Sequence, residues 1–132
     1  MKYILAAVLM WVMATGMVKA NDDVKSVISS QIDAFLADDF ATAFDFASPM
    51  IQGMFGTPER FGAMVRNGYP MVWRPSDVEF LSTKDRGEAV VQTVMVKDAG
   101  GKLFVLEYEM IETDKGWLIN GVRVQEAGDG LA

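Results

Sequence analysis

The stretch DVEFLSTKDRGEAVVQTVMVKDAGGKLFVLEYEMIETDKGWLINGVRVQ, residues 77–125, decides the fold. Within it β-branched and aromatic residues alternate with polar ones. Three breaks of hairpin length, Asp85-Arg86-Gly87, Asp98-Ala99-Gly100-Gly101 and Asp114-Lys115-Gly116, interrupt the alternation. They predict strands over residues 78–83, 88–97, 102–112 and 117–125. In the third, Phe104, Leu106, Tyr108 and Met110 alternate with a set that ends in Glu107 and Glu109, so one face of the sheet is core and the other is partly wet. Strands joined by such short turns pair antiparallel.

Upstream of Pro75 the apolar spacing changes to threes and fours. Val24, Val27, Ile28, Ile32, Phe35 and Leu36 make one stripe of a first helix, capped by Asp22 or Asp23. A second, short helix starts at Asp38 or Asp39, turns Phe40, Ala43, Phe44 and Ala47 inward, and stops before Ser48-Pro49. Thr57-Pro58-Glu59 reads as N-cap, first-position proline and an acid at the positive end of a third helix. Its Phe61, Met64 and Val65 face the core until Asn67-Gly68 ends it. Helices first and antiparallel strands after predict an α+β domain, with an N-terminal helical hairpin and a short third helix packed on a curved antiparallel sheet.

The chain of 132 residues is 51% hydrophobic and 23% charged, which fits one small domain. Residues 3–18 carry no charge, and Lys2 precedes them. With Val18 and Ala20 as the small residues before the cut, this is the pattern of a signal peptide, residues 1–20, followed by one domain over 21–132. The expected location is periplasmic or secreted, with membrane contact only through the signal peptide before cleavage.

Cysteine and histidine are both absent. That removes disulfides, thiolate or imidazole metal sites, and nucleophiles activated by histidine. A formal charge of −6 argues against binding nucleic acid.

Two passages resemble the NTF2-like, or cystatin-like cone, superfamily. IDAFLADDFATAFDFASP (residues 32–49) is similar to its opening helical hairpin and GWLINGVRV (residues 116–124) to its closing strand. MFGTPERFGAMVRNGYPMVWRP (residues 54–75) resembles an uncharacterised bacterial domain-of-unknown-function family of small exported proteins. The resemblance implies a helical hairpin and a third helix packed into a bent sheet, and it brings no established activity. Some enzymes of the superfamily use an aspartate and a tyrosine in the cone, which would here be Asp45 with Tyr69 or Tyr108.

Read as residues, Asp38 and Asp39 sit where caps belong and Asp33 falls on the polar side of its helix. Residues 48–76 are the one net-positive segment, with Arg60, Arg66 and Arg74 against Glu59 alone, and Tyr69 and Trp73 lie among the arginines. Arginine interleaved with aromatics describes a ligand-binding surface, and it equally describes core aromatics beside arginines bridged to the acids of the first hairpin. Met50, Met54, Met64 and Met71 give the same segment adaptable apolar surface.

The expectation is a non-enzymatic module that binds a small molecule or a protein partner at the mouth of a cone, through Tyr69, Trp73, Arg74, Arg60 and Arg66. It involves no metal, cofactor or catalytic residue. Asp/Tyr acid-base chemistry on a hydrophobic substrate and a homodimeric assembly module are the alternatives. The leader reading predicts an exported species whose intact mass begins at Asn21; a soluble exported species retaining residues 1–20 would overturn it.

Overall fold

A computed structural model of the chain describes residues 20–127. Helix α1 covers residues 20–36 of this range, and Asp22 and Asp23 lie within it rather than capping it. Val24, Ile28, Ile32 and Phe35 are buried, whereas Leu36 is 45% exposed. Consecutive residues stand about 100° apart on a helix, so with Phe35 turned inward its neighbour is turned away. Asp38 makes the turn out of α1 with a φ of 56°. Asp39 then caps α2 (Phe40–Asp45), accepting from the Thr42 amide at 3.2 Å and the Thr42 hydroxyl at 2.7 Å.

Here the chain departs from expectation. Helix α2 ends at Asp45, and a further helix, α3 (Pro49–Phe55), follows it. The Ser48-Pro49 pair that ends one helical pattern also begins another. Ser48 accepts from the Ile51 amide as N-cap, and proline suits the first helical position, where its missing N–H is no loss.

Helix α4 (Pro58–Gly68) begins as the sequence indicates, with Thr57 accepting from the Arg60 amide at 3.2 Å. Its inner face carries Phe61, Gly62 and Val65. Gly62 has a packing role: a Cβ there would lie 2.5 Å from the Phe40 ring, so only a hydrogen lets α2 and α4 approach this closely. A last helical turn, α5 (Pro70–Trp73), follows the Asn67-Gly68 end of α4, where the sequence predicts no further helix. The reason is again proline at a first helical position.

The sheet runs β1 (Asp77–Arg86), β2 (Ala89–Lys97), β3 (Leu103–Thr113) and β4 (Gly116–Glu126), in sequence order and antiparallel throughout. Two bulges curve it. One sets Leu81 and Ser82 opposite Thr93, and the other inserts Asn120 between the pairs Glu109–Gly121 and Met110–Ile119. Buried Gln92 answers the first bulge, its amide donating to the Ser82 carbonyl at 3.2 Å and the Thr93 carbonyl at 2.9 Å.

Phe104, Leu106, Tyr108 and Met110 all face the core, where the helices cover the sheet. Phe61 is the hub of the aromatic packing, with ring centroids 5.9 Å from Phe35, 5.4 Å from Phe44 and 5.8 Å from Phe55. Among the described residues no helix is long and apolar enough to cross a membrane.

Three substitutions test this packing by urea melts. Phe61→Ala should cost about 3–5 kcal/mol and Thr57→Ala about 1 kcal/mol. Tyr108→Phe should cost nothing measurable or stabilise. The Tyr108 hydroxyl is buried with no partner among the described residues, so removing it removes a desolvated group and no hydrogen bond.

Candidate functional site

A cavity of about 460 Å³ lies between the helices and the inner face of the sheet. Each wall follows from an element already placed. Helix α1 contributes Phe35 and Gln31, α4 contributes Phe61, Met64 and Val65, and the β4 bulge contributes Ile119, Asn120 and Val122. Helix α3 forms a further side with Met50, Ile51, Met54 and Phe55, and buries none of its own residues. Met50 and Met54 are 55% and 67% exposed, which places them at the rim.

The polar groups along the walls are few and uncharged. Gln31, itself buried, donates from Nε2 to the Ala43 carbonyl at 3.1 Å. The Asn120 amide oxygen accepts from the Ser48 hydroxyl at 2.8 Å, and its Nδ2 donates to the Glu109 carboxylate at 2.8 Å. Tyr69 is the third. Among the described residues no Asp, Glu, Lys or Arg lines the cavity.

The five residues expected at the binding surface do not share one environment. Tyr69 lines the cavity; Trp73, Arg74, Arg60 and Arg66 do not. Trp73 and Arg74 are gathered on Asp38. The Trp73 indole donates to Asp38 Oδ1 at 3.0 Å, Arg74 Nη2 donates to the same oxygen at 2.9 Å, and the Arg74 guanidinium lies 4.1 Å from the centre of the Trp73 ring. Arg74 Nη1 also donates to the Phe35 carbonyl at the C-terminal end of α1. Arg60 and Arg66 are exposed on α4. Asp45 is exposed and borders other clefts, while Tyr108 is buried in the core; neither reaches the cavity. Burial pushes the Tyr108 phenol well above its ordinary value, because the phenolate would lose its water.

Sequence reading overlooks Gln31, Asn120 and Gly121 as cavity residues. Gln31 sits beside the apolar stripe of α1, and Asn120 reaches the wall only because of the bulge, which alternation alone does not reveal.

The hydrogen bond from Trp73, and after it those from Arg74, hold the Asp38 carboxyl below its ordinary value of 3.8. A carboxylate whose folded value is depressed stabilises the fold above its unfolded value and loses that contribution as pH falls through the folded one. The urea midpoint of Asp38→Asn should therefore lie below wild type at neutral pH, and the gap should close as pH falls below 3.8. A gap independent of pH would mean the tie is not ionic.

The whole fold is similar to that of an NTF2-like protein of unknown function from Shewanella baltica OS155, at 14% identity and a TM-score of 0.56, over 83% of this chain and 97% of that one. It is also similar to an NTF-2 like protein of unknown function from Burkholderia xenovorans LB400, at 12% identity and a TM-score of 0.50, over 83% of this chain and 88% of that one. At such identities the likeness is one of fold. No curated protein matches the chain. The domain of unknown function DUF4864 matches residues 18–130, which take in every described helix and strand, and the chain therefore belongs to that family, built on an NTF2-like α+β cone.

Proposed function

We propose that this protein is an exported, non-enzymatic module that binds a small, largely apolar molecule in the cavity between its helices and its sheet. The observation that carries the reading is the cavity: about 460 Å³, walled by Phe35, Phe55, Phe61 and three methionines, with no charged side chain among the described residues. Its volume lies within the range of small-molecule sites, and an apolar wall with a few fixed polar groups is how such sites are made. Methionine at the rim adapts to differing ligand shapes.

Acid-base chemistry has less support. The aspartate that would serve as the acid or base, Asp45, is outside the cavity, and Tyr108 is buried in the core, also outside it. Of the five residues expected at the binding surface, Tyr69 is the one that touches a ligand in this reading. Trp73 and Arg74 act on it indirectly by fixing α5 against Asp38. Export rests on the uncharged run of residues 3–18, which lies outside the described residues.

The test uses N-phenyl-1-naphthylamine, an apolar dye whose fluorescence rises on leaving water. The purified protein should bind it saturably, one dye per chain. Val122→Phe, which adds bulk to the cavity wall, should weaken binding on the order of tenfold while the protein still melts cooperatively. Failure of the wild-type protein to bind the dye would overturn the reading.

A further inference from the structure

A second depression, of about 300 Å³, lies on the outer face of the sheet beside β4. Register places it there: Val91, Glu109 and Gly121 face one another across β2, β3 and β4, and Glu107 and Arg123 form the next pair, on the face opposite buried Leu106, Tyr108 and Met110. The depression shares Met50, Asn120, Gly121 and Val122 with the inner cavity. The two adjoin around the edge of β4, at the one residue of the passage with no side chain. A Cβ at Gly121 would meet nothing within 4 Å, so the space there is open.

The two compartments differ in chemistry. The inner one has no charged wall among the described residues. The outer one is bordered by Arg86, Arg123, Glu107 and Glu109. Among the described residues none of these four belongs to an ion pair, and the side-chain hydrogen bond to Glu109 comes from the neutral Asn120 amide. Two unpaired cations and two unpaired anions around one small depression match a group that carries both signs. A purely anionic end meets the glutamates, and a purely cationic end meets the arginines.

We propose that the ligand is a zwitterionic amphiphile with a single apolar chain, threaded past Gly121, its chain among the phenylalanines and its polar end between the arginines and glutamates of the outer depression. The inference rests on the binding reading of the cavity and adds the ligand's class and orientation. Because three of the four charges are exposed and Glu107 is half-buried, each pairing is weak and the preference for the head group is modest.

The test displaces bound N-phenyl-1-naphthylamine with three amphiphiles of equal chain length, each below its micelle concentration: dodecylphosphocholine, dodecyl sulfate and dodecyltrimethylammonium. Dodecylphosphocholine should displace the dye best, by about tenfold over either singly charged chain. Replacing both arginines (Arg86→Gln with Arg123→Gln) should abolish its advantage over dodecyltrimethylammonium. Replacing both glutamates (Glu107→Gln with Glu109→Gln) should abolish its advantage over dodecyl sulfate. Gly121→Leu, which puts bulk into the open space between the two compartments, should weaken dodecylphosphocholine by a larger factor than it weakens the dye.

Equal displacement by all three chains overturns the proposal and leaves the apolar cavity standing, as does undiminished dodecylphosphocholine binding in Gly121→Leu. Loss of dye binding in the wild-type protein overturns both readings together.

Discussion

At the β4 bulge the edge of the sheet captures the chain that links α2 to α3, and the cavity depends on that capture. The Ile119 amide donates to the Phe46 carbonyl and the Ser48 amide donates to the Ile119 carbonyl, both at 2.8 Å. The extra residue, Asn120, turns its side chain to the Ser48 hydroxyl on one side and the Glu109 carboxylate on the other. Ser48 is fully buried and is at once the clamp and the cap of α3. Gln52, on α3, donates back to the Phe44 and Ala47 carbonyls at 3.0 and 3.1 Å, the first of which also accepts from the Ala47 amide, and so ties α3 to the end of α2. Together with the Phe55 ring against Phe61, this junction holds α3 across the open side of the cone.

Charge is distributed so that the interior stays neutral. Asp39 caps α2, Asp33 and Asp45 stay exposed, and Arg74 answers the carboxylate of Asp38 at the turn that α5 must meet. Such an exposed ion pair contributes little by itself. Its use here is geometric, since the same carboxylate oxygen takes the Trp73 indole and fixes the angle at which the arginine-rich segment crosses the end of α1. From the part of it around α5 the cavity takes Tyr69 and Val72, and it takes none of the segment's charge.

The sheet was legible in the sequence because strand alternation and turn chemistry are local. Asp85 accepting from the Gly87 amide at 2.9 Å, and Gly116 with a φ of 96°, are what their residue types announce. The start of α4 was legible for the same reason. Helices α3 and α5 were not, because Ser48-Pro49 reads as a stop and Asn67-Gly68 as the end of the last helix, whereas Pro49 and Pro70 each begin a further one. Within the candidate site, the methionines pointed to adaptable apolar surface, and three of the four line the cavity while Met71 is in the core. The arginines could not be placed. Whether Arg74 meets a ligand or Asp38 is settled by a contact spanning 36 residues, and no local pattern encodes it.

Helix α3 is seven residues long, buries none of them, and carries Gly53 near its middle with open space around it. Segments with few buried contacts open at a small fraction of the free energy needed to unfold the whole molecule. Its amides should therefore exchange with solvent deuterium well before those of β2 and β3, through an opening that leaves the sheet intact. An occupant of the cavity would have α3 for one of its walls, and the slowing of that exchange would report occupancy without any label on the ligand.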